Sequence, residues 1–598
     1  MSNSGFGSPI VVPPQFQIYN SYVEDPKWQR RFTAIWAGCL GIALVLSFPV
    51  LYRAYRAGRV FTGLFGVREG TPKERDYTPA PPTAGNETVL AKEHRRPLYS
   101  PISFPSFLLW SPLGVGLNVG QITVVVLYFA IIIICTLTQA PLIDNPNRAG
   151  FLAIAQLPIV FLFATKNSLL SLLLGPGNGY EKLNYIHRWS GRGLFLCAVI
   201  HGSLWIRNHL QYKLPILGPQ KETSGVAAFA LLCIIVLSSL RPVRLYFRQI
   251  FFYIHVLTYV SFFVTICYHT LFARPWVYPA LAFYGLDLLM RLLRFRIKDA
   301  SLVPMRDMTM IHIHDCDGGW EAGQHVQLRI IFEGRVFESH PLTIANAPSS
   351  VSCVANRSIV LGARVAGDWT RALHNYASIE QGRIAVENDE KVDNVRVPVH
   401  VTIDGPYGGC SLDLGEYENV ILTAGGAGVT FILGLLDDLV GRIVRHQRGH
   451  GERTRRIQFA WAIRSYDCIQ WVAPMLMDIA EAAADDASLD LHISIFVTCL
   501  CDPAAVPAIP NSVVTTSRPD VHQLLARVLS PTLAEDDVED ERKREAGSEQ
   551  VVCQGGVGVC ASGPESMTRE AANAVARLRP VHGKRVGGIA LHTEVFSL

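Results

Sequence analysis

The sequence predicts a multi-domain membrane protein: an all-α transmembrane domain of about seven helices, then a cytosolic antiparallel β-barrel, then an α/β domain. Three observations carry that reading. Hydrophobic residues make up 49% of the 598 residues, high for a chain with a large soluble part. Every apolar stretch long enough to cross a bilayer lies before about residue 300. Beyond that point the pattern turns to short, glycine-separated β-rich runs, and beyond about 418 to strand, glycine turn and helix. The net charge of +4 is too mild to attract nucleic acid, which is excluded as a partner.

Seven stretches have spanning length, at about 32–51, 116–138, 151–174, 185–206, 224–240, 247–270 and 276–293. Basic residues in the short connections set their orientation. Arg53, Arg56, Arg59, Arg68, Lys73, Arg75, Lys92, Arg95 and Arg96 follow the first span. Arg241, Arg244 and Arg248 precede the sixth, and Arg291, Arg294, Arg296 and Lys298 end the seventh. With seven crossings all three clusters fall on the cytosolic side, which makes the N-terminus extracytoplasmic and the C-terminal half cytosolic. The sequon Asn86-Glu87-Thr88 then lies in a cytosolic loop and is expected to go unused. No basic start followed by an apolar core marks a cleaved signal peptide, so the first span is expected to serve as the anchor signal. The thirteen cysteines show no metal-ligand spacing, and most read as small buried hydrophobes.

Inside the apolar region stand two histidine pairs, His187/His201 and His255/His269, each spaced fourteen residues apart. That is almost four helical turns, so the members of a pair share one helix face about 21 Å apart along the axis. A lone histidine there reads as a satisfied polar group. Ionisable side chains are costly in the apolar layer, however, and a spacing repeated on two segments marks a function. Two helices so equipped clamp two flat macrocycles, one towards each membrane surface, each iron held by one imidazole from each helix. Two b-type hemes and an electron path through the bilayer follow, with His187 and His255 near the inner surface and His201 and His269 near the outer.

In the C-terminal half, Val326 to Ile331 alternates as a barrel strand. Val420 to Ala424 reads as a short buried strand, Gly425-Gly426-Ala427-Gly428-Val429-Thr430 as a glycine turn, and Phe431 to Val444 as an apolar helix. That succession lets backbone N–H groups and a helix N-terminus approach a pyrophosphate, as in a Rossmann-like nucleotide-binding domain. Ile457 to Ile463 adds a strand and Gly556 to Gly563 a turn. Trp461-Ala462-Ile463-Arg464 ends a strand with a guanidinium suited to a ribose 2′-phosphate, which favours NADPH over NADH.

From about 145 to 598 the chain resembles the ferric reductase branch, of fungal type, of the superfamily that also contains NADPH oxidases. The motifs are Gln156-Leu157-Pro158 through Lys166-Asn167, Ile186 to Arg192, Ile250 to His255, His340 to Ala345, Gly405-Pro406-Tyr407-Gly408, and Gly425 to Thr430. The resemblance implies a heme-bearing helical domain, a flavin-binding barrel and a nicotinamide-nucleotide domain, in this order. It implies His187 with His255 as axial ligands of the inner heme and His201 with His269 of the outer, with Arg188 and Arg192 as partners for heme propionates. His340, Pro341 and Thr343 would line the isoalloxazine and ribityl part of FAD, with Gly367, Trp369 and Thr370 near its diphosphate. Gly425, Gly426, Gly428 and Thr430 would cradle the nicotinamide dinucleotide, and Gly563 and Pro564 would face the nicotinamide. Three positions depart from the pattern. Ser562 replaces the usual cysteine before Gly563, with Cys560 two residues earlier; Phe431 replaces a proline; and Leu598 replaces a terminal aromatic, leaving Phe596 as the flavin-stacking residue.

The expected divisions are an extracytoplasmic segment 1–31, two transmembrane helices with a basic cytoplasmic loop over 32–138, and the heme core over 139–298. The FAD barrel follows over 299–415, and the NADPH domain over 416–598, with an acidic insertion at 535–550. The implied activity is transmembrane reduction of extracytoplasmic ferric chelates, and of cupric ion, by cytosolic NADPH for iron uptake. An iron permease or a multicopper oxidase is the candidate protein partner. The plasma membrane is the expected location, with the vacuolar membrane as the alternative. Cofactors carry the redox chemistry, so no residue is assigned a catalytic acid–base role. An NADPH oxidase making superoxide is the rival within the class, and a non-enzymatic heme-bearing transporter or partner-binding membrane subunit the rival outside it.

Overall fold

The computed structural model describes residues 19–69, 106–167, 169–354, 358–449, 451–500, 502, 507–529 and 555–596. The sequon, Lys73, Arg75, Lys92, Arg95, Arg96, the acidic insertion and Leu598 lie outside them. The chain divides into two compact units. One comprises residues 1–46, 124–168 and 183–286, the other 47–123, 169–182 and 287–598.

Among the described residues ten α-helices come first: α1 (Ser21–Arg56), α2 (Val119–Leu137), α3 (Asn147–Ala155), α4 (Leu157–Leu162), α5 (Leu169–Leu174), α6 (Tyr180–Gln211), α7 (Gln220–Ser238), α8 (Arg241–Tyr246), α9 (Arg248–His269) and α10 (Arg274–Arg294). Among the described residues five helical segments are long and apolar enough to cross a membrane: α1, α2, α7, α9 and Leu271–Arg294. The stretch expected to span at 151–174 is not one helix. Its apolar helical parts, Asn147–Leu162 and Leu169–Leu174, are each shorter than the roughly 20 residues a bilayer requires. Pro158, in the first turn of α4, has no N–H to continue the α3 ladder, and the axis breaks at Gln156. α6 is long enough at 32 residues, but polar side chains, His187, Arg192 and His201 among them, interrupt its apolar run. In this unit α7 packs along α9. Leu157, Phe161, Leu194, Ala228, Leu232, Phe262 and Ile266 form one core, and Phe32 of α1 joins Ile132, Cys135 and Leu152 in a second.

The second unit contains two sheets. Strands β1 (Arg296–Met305), β2 (Met308–Ile313), β3 (Gln324–Ile330), β4 (His340–Thr343), β5 (Ile359–Arg364) and β6 (Val397–Gly408) form an antiparallel sheet ordered β4-β3-β6-β1-β2-β5. Its two edges meet where Ile344 bridges Leu361 and the Ala345 N–H donates to the Val360 carbonyl at 2.8 Å, closing a near-barrel. Inward residues at alternate positions, such as Val326, Leu328 and Ile330, fill it, and helix α11 (Asp368–Asn388) plugs it with Trp369, Leu373 and Ala377.

Strands β7 (Asn419–Gly425), β8 (Arg456–Ser465), β9 (Asp490–Leu500), β10 (Ser512–Thr515), β11 (Val557–Gly563) and β12 (Ile589–Val595) form a parallel sheet ordered β10-β9-β8-β7-β11-β12. Helices α12 (Val429–Val444), α13 (Ala473–Ala484), α14 (Val521–Leu529) and α15 (Glu565–His582) connect it. The order reverses between β7 and β11, which makes their C-terminal ends the topological switch point where such sheets bind ligands. The run Gly556 to Gly563, read as a turn, is strand β11 from Val557 to Gly563, with only Gly556, at φ +84°, turning before it. Its residues from Val557 to Gly563 are buried, as befits a central parallel strand of small and β-branched residues.

The basic segment after α1 is held by specific contacts. Arg53 pairs with Glu416 at 2.9 Å, Arg59 donates through Nε and Nη2 to Glu321, and Arg68 exchanges backbone bonds with Gly318 and Asp317. Residues that the sequence offers as markers of orientation are thus used as ties to the barrel and the nucleotide domain.

Candidate functional site

In the helical unit, α6 and α9 bring the four histidines together as the fourteen-residue spacing demands. The ring centroids of His187 and His255 lie 6.4 Å apart with planes at 72°, and those of His201 and His269 lie 6.2 Å apart at 70°. Two metal–imidazole bonds of about 2.0 Å plus about 1.1 Å from each nitrogen to its ring centre give about 6.2 Å, so each pair has room for one iron between its rings.

The other ring nitrogen of each histidine is spoken for. His187 Nδ1–H donates to the Val160 carbonyl at 2.9 Å, His201 to Pro146 at 3.0 Å and His269 to Lys221 at 2.8 Å. His255 Nδ1–H meets Ser239 Oγ at 3.3 Å, and that hydroxyl donates onward to the Ile235 carbonyl at 2.6 Å. These bonds fix one tautomer in all four rings and leave each Nε2 lone pair for a metal. The break that shortens the predicted span at 151–174 has a use here, because the α3–α4 segment supplies Val160 and the residue before it supplies Pro146. Seven residues from each histidine, Leu194 and Phe262 form an apolar layer midway between the two pairs.

Two glycines complete this site that the sequence reading passed over. A Cβ on Gly150 would lie 2.9 Å from His201 Nδ1, and one on Gly225 would lie 2.7 Å from both Cε1 and Nδ1 of His269. A small residue in an otherwise bulky apolar run was the available signal. Gly225→Ala is expected to remove the absorbance of a group held between His201 and His269 while sparing that of a group held between His187 and His255, although alanine favours the helix by about 1 kcal/mol. Gly202→Ala, whose Cβ would come no nearer than 3.9 Å to Phe229, should leave both; visible spectra of the purified variants check this. Arg192 lies over the Trp189 ring at 4.3 Å, and Arg188 is close by on α6.

In the barrel, His340 stacks on Trp369 with centroids 4.1 Å apart and planes at 22°. Pro341 and Thr343 share strand β4 with His340. The buried Trp369 Nε1–H has no hydrogen-bond partner among the described residues, an orphaned donor at the mouth of α11 that suits a polar ligand. Gly367 caps α11 and would meet nothing within 4 Å if given a Cβ. Thr370 is occupied differently from the expectation: its hydroxyl accepts the N–H groups of Ala366 and Gly367 at 3.0 Å, satisfying the helix terminus itself.

The switch point gathers the nucleotide residues. A Cβ on Gly425 would lie 2.8 Å from Pro564 Cδ, one on Gly428 would lie 2.5 Å from the Ser562 carbonyl oxygen, and one on Gly563 would lie 3.0 Å from Gly425 Cα. Gly426, at φ +55°, makes the turn that an L side chain would resist. Phe596 follows β12, and its N–H donates to the Gly563 carbonyl at 2.8 Å, which brings it to the same place. Ser562 Oγ is buried without a hydrogen-bond partner among the described residues. Thr430 donates to the Ala427 carbonyl at 3.1 Å and touches the barrel where a Cβ on Gly362 would stand. Arg464 is exposed at the end of β8, the strand beside β7.

Phe431, where a proline was anticipated, is buried against Gly323 of the barrel and stacks on His592 with centroids 5.5 Å apart. Cys560 does not stand free. Its Sγ lies 3.7 Å from Cys410 Sγ, with both thiols buried. Burial raises the Cys410 thiol, but the bond to Cys560 and the fields of His592 and Arg59 outweigh it and bring it to about 6.

Comparison with known proteins matches three family models in chain order. "Ferric reductase like transmembrane component" covers residues 149–266, "FAD-binding domain" 292–411 and "Ferric reductase NAD binding domain" 417–576. Similar proteins include ferric reductase transmembrane component 3 of Saccharomyces cerevisiae, 26% identical over 58% of this chain and 46% of that protein. The ferric/cupric reductase transmembrane component 2 of the same yeast is 26% identical over 58% and 46%. The probable cell surface ferric reductase kap2 of Aspergillus oryzae is 26% identical over 59% and 47%. The chain spans about half the length of the curated relatives it matches. With multiple membrane-crossing helices, a flavin near-barrel and a nucleotide domain, each met by the corresponding family model in the same order, this multi-pass membrane protein belongs to the ferric reductase family.

Proposed function

We propose that the protein is a transmembrane ferric-chelate reductase, with cupric ion as a second acceptor, that carries electrons from cytosolic NADPH to an extracytoplasmic metal ion for iron uptake across the plasma membrane. The observation that carries this reading is the two imidazole pairs on α6 and α9, each with its Nε2 atoms free and its rings about 6.2–6.4 Å apart. FAD, NADPH and two b-type hemes, when bound, supply hydride acceptance and one-electron relay.

Each group has residues suited to it. His187 with His255 and His201 with His269 would hold the irons, while Arg188 and Arg192 would offer guanidinium donors to propionates. His340, Pro341, Thr343, Gly367, Trp369 and Thr370 would hold FAD, with Phe596 against its ring. Gly425, Gly426, Gly428, Thr430, Gly563 and Pro564 would hold the nicotinamide dinucleotide, and Arg464 would select the 2′-phosphate. The domain divisions that follow are a heme core over 139–298, a flavin barrel over 299–415 and a nucleotide domain over 416–598.

The protein's own work is orientation. The carbonyls of Val160, Pro146 and Lys221 hold three imidazoles in one tautomer, so no ligand is lost to the wrong protonation. The close contact of Gly428 with Ser562 brings the start of α12 against the end of β11, so a dinucleotide bound there meets backbone N–H groups and excludes water from one side. No side chain needs to move a proton to a substrate.

Membranes carrying the protein are expected to reduce a ferric chelate on addition of NADPH, at a rate unchanged by superoxide dismutase. Loss of most ferrous product on adding that enzyme would reassign the chain as a superoxide-forming oxidase. No NADPH-driven change in absorbance at all would leave the non-enzymatic reading. In the same assay Arg464→Ala should raise KM for NADPH about tenfold, the worth of one charge-assisted bond, and leave KM for NADH alone.

A further inference from the structure

The first turn of α1 lies outside the segment that the family's transmembrane model matches, yet it is tied into the outer histidine pair. Asp25 of α1 and Arg148 of α3 form an ion pair at 2.6 Å, with side chains 0% and 1% exposed. Arg148 spends its remaining donors on the carbonyls of Cys135 and Thr138, each at 3.1 Å, and on Tyr19 Oη at 2.8 Å, and its guanidinium lies over the Trp28 ring. Tyr19 also donates to Asp25. Asp25 Oδ2 is buried with no hydrogen-bond partner among the described residues. Such a pair rarely adds stability over apolar residues of the same size, because desolvating two charges costs about what their attraction returns. Its full burial therefore points to a role other than stability.

Two routes lead from this pair to His201. Pro146, two residues before Arg148, offers the carbonyl that accepts His201 Nδ1–H at 3.0 Å. Between them, Asn147 Nδ2 donates to Ser21 Oγ of α1 at 2.8 Å, and Asn147 Oδ1 accepts the Trp205 Nε1–H at 3.2 Å. Trp205 stands edge-on to His201 with centroids 6.4 Å apart. Tyr22, between Ser21 and Asp25, lines the same cavity as His201 and His269. The α1 turn, the start of α3 and the outer ligand therefore form one hydrogen-bonded unit in a low-dielectric setting.

We infer that Asp25 and Arg148 are a positioning pair for the outer heme site, in which Asp25 compensates the Arg148 cation and so holds down the potential of the redox group between His201 and His269. The inference rests on the bis-imidazole heme reading. An uncompensated cation close to a site that gains an electron favours the reduced form, and an uncompensated anion disfavours it.

The test is a reductive titration of the full-length purified protein followed by visible absorbance. Asp25→Asn, which keeps size and hydrogen bonding, is expected to move one of the two heme steps to higher potential and leave the other in place. Arg148→Gln is expected to move the same step lower, and it carries the test alone if Asp25→Asn does not fold. Opposite shifts confined to one step are not what a loss of packing produces. Unmoved steps, or both steps moving together, in protein with its full heme spectrum would overturn the inference. Absence of a low-spin b-type spectrum in the unaltered protein would instead overturn the heme reading on which it rests.

Discussion

His255→Ala is expected to abolish NADPH-driven reduction of an extracytoplasmic acceptor while leaving NADPH oxidation by a soluble flavin-level acceptor intact. His255 and His187 face each other with centroids 6.4 Å apart, and among the described residues no group of three or more His, Cys, Asp or Glu side chains is placed to hold a metal ion, so the site depends on this imidazole pair. Removing one of two axial ligands should empty the inner site and cut ferric reduction by about a hundredfold or more, equivalent to about 2.7 kcal/mol of barrier. The graded partner is Ser239→Ala. It deletes only the hydroxyl that accepts His255 Nδ1–H and should weaken heme retention about tenfold, the usual cost of an outer hydrogen-bond partner. Heme content by pyridine hemochrome and parallel assays with ferric chelate and a soluble dye check both. Loss of dye reduction together with ferric reduction in His255→Ala would mean that the flavin end depends on the helical unit in a way the separate domains do not suggest.

How much of this was legible beforehand divides along physical lines. The histidine pairs were readable because helical periodicity turns a spacing into a direction, and both ends of the inference, α6 and α9, are regular helices. The glycine turn after β7 was readable because strand, turn and helix follow each other without interruption. What was not readable came from contacts between segments distant in sequence. Gly150 and Gly225 give no local sign that a histidine ring lies against them, since those rings are 51 and 44 residues away in the chain. The stretch at 151–174 has the composition of a span, and only the backbone consequence of Pro158 shows that it is a broken one. Arg59 counted as a positive-inside charge, because a sequence does not show that Glu321, far along the chain, will meet it. The strand at Val557–Gly563 looked like a turn for a related reason: glycines in a central strand are tolerated where another side chain needs the space, as Tyr417 does 3.0 Å from the Cβ position of Gly558.

Gly428→Ala should damage nucleotide binding through a single added methyl group. Gly428 has φ −60°, so its backbone already suits alanine and no conformational strain enters. The effect is purely one of contact. The new Cβ would lie 2.5 Å from the Ser562 carbonyl oxygen, 2.7 Å from its carbon and 2.9 Å from the Gly563 nitrogen, all rigid backbone atoms of β11. Either α12 or the end of β11 must retreat, and these are the two walls of the switch point, so overpacking of about 1–3 kcal/mol is taken directly from nucleotide binding. A rise in KM for NADPH of about 5- to 150-fold follows from that range. Flavin content should persist, because the barrel does not share the clash. Gly382→Ala is the control of opposite sign: it sits inside α11 with nothing within 4 Å of its Cβ position, and alanine there should stabilise the protein by about 0.5–1 kcal/mol. Steady-state kinetics with NADPH and thermal unfolding of the two variants separate these outcomes. If Gly428→Ala kept its KM, the cradle would have to lie elsewhere than between Gly425–Gly428 and Ser562–Pro564.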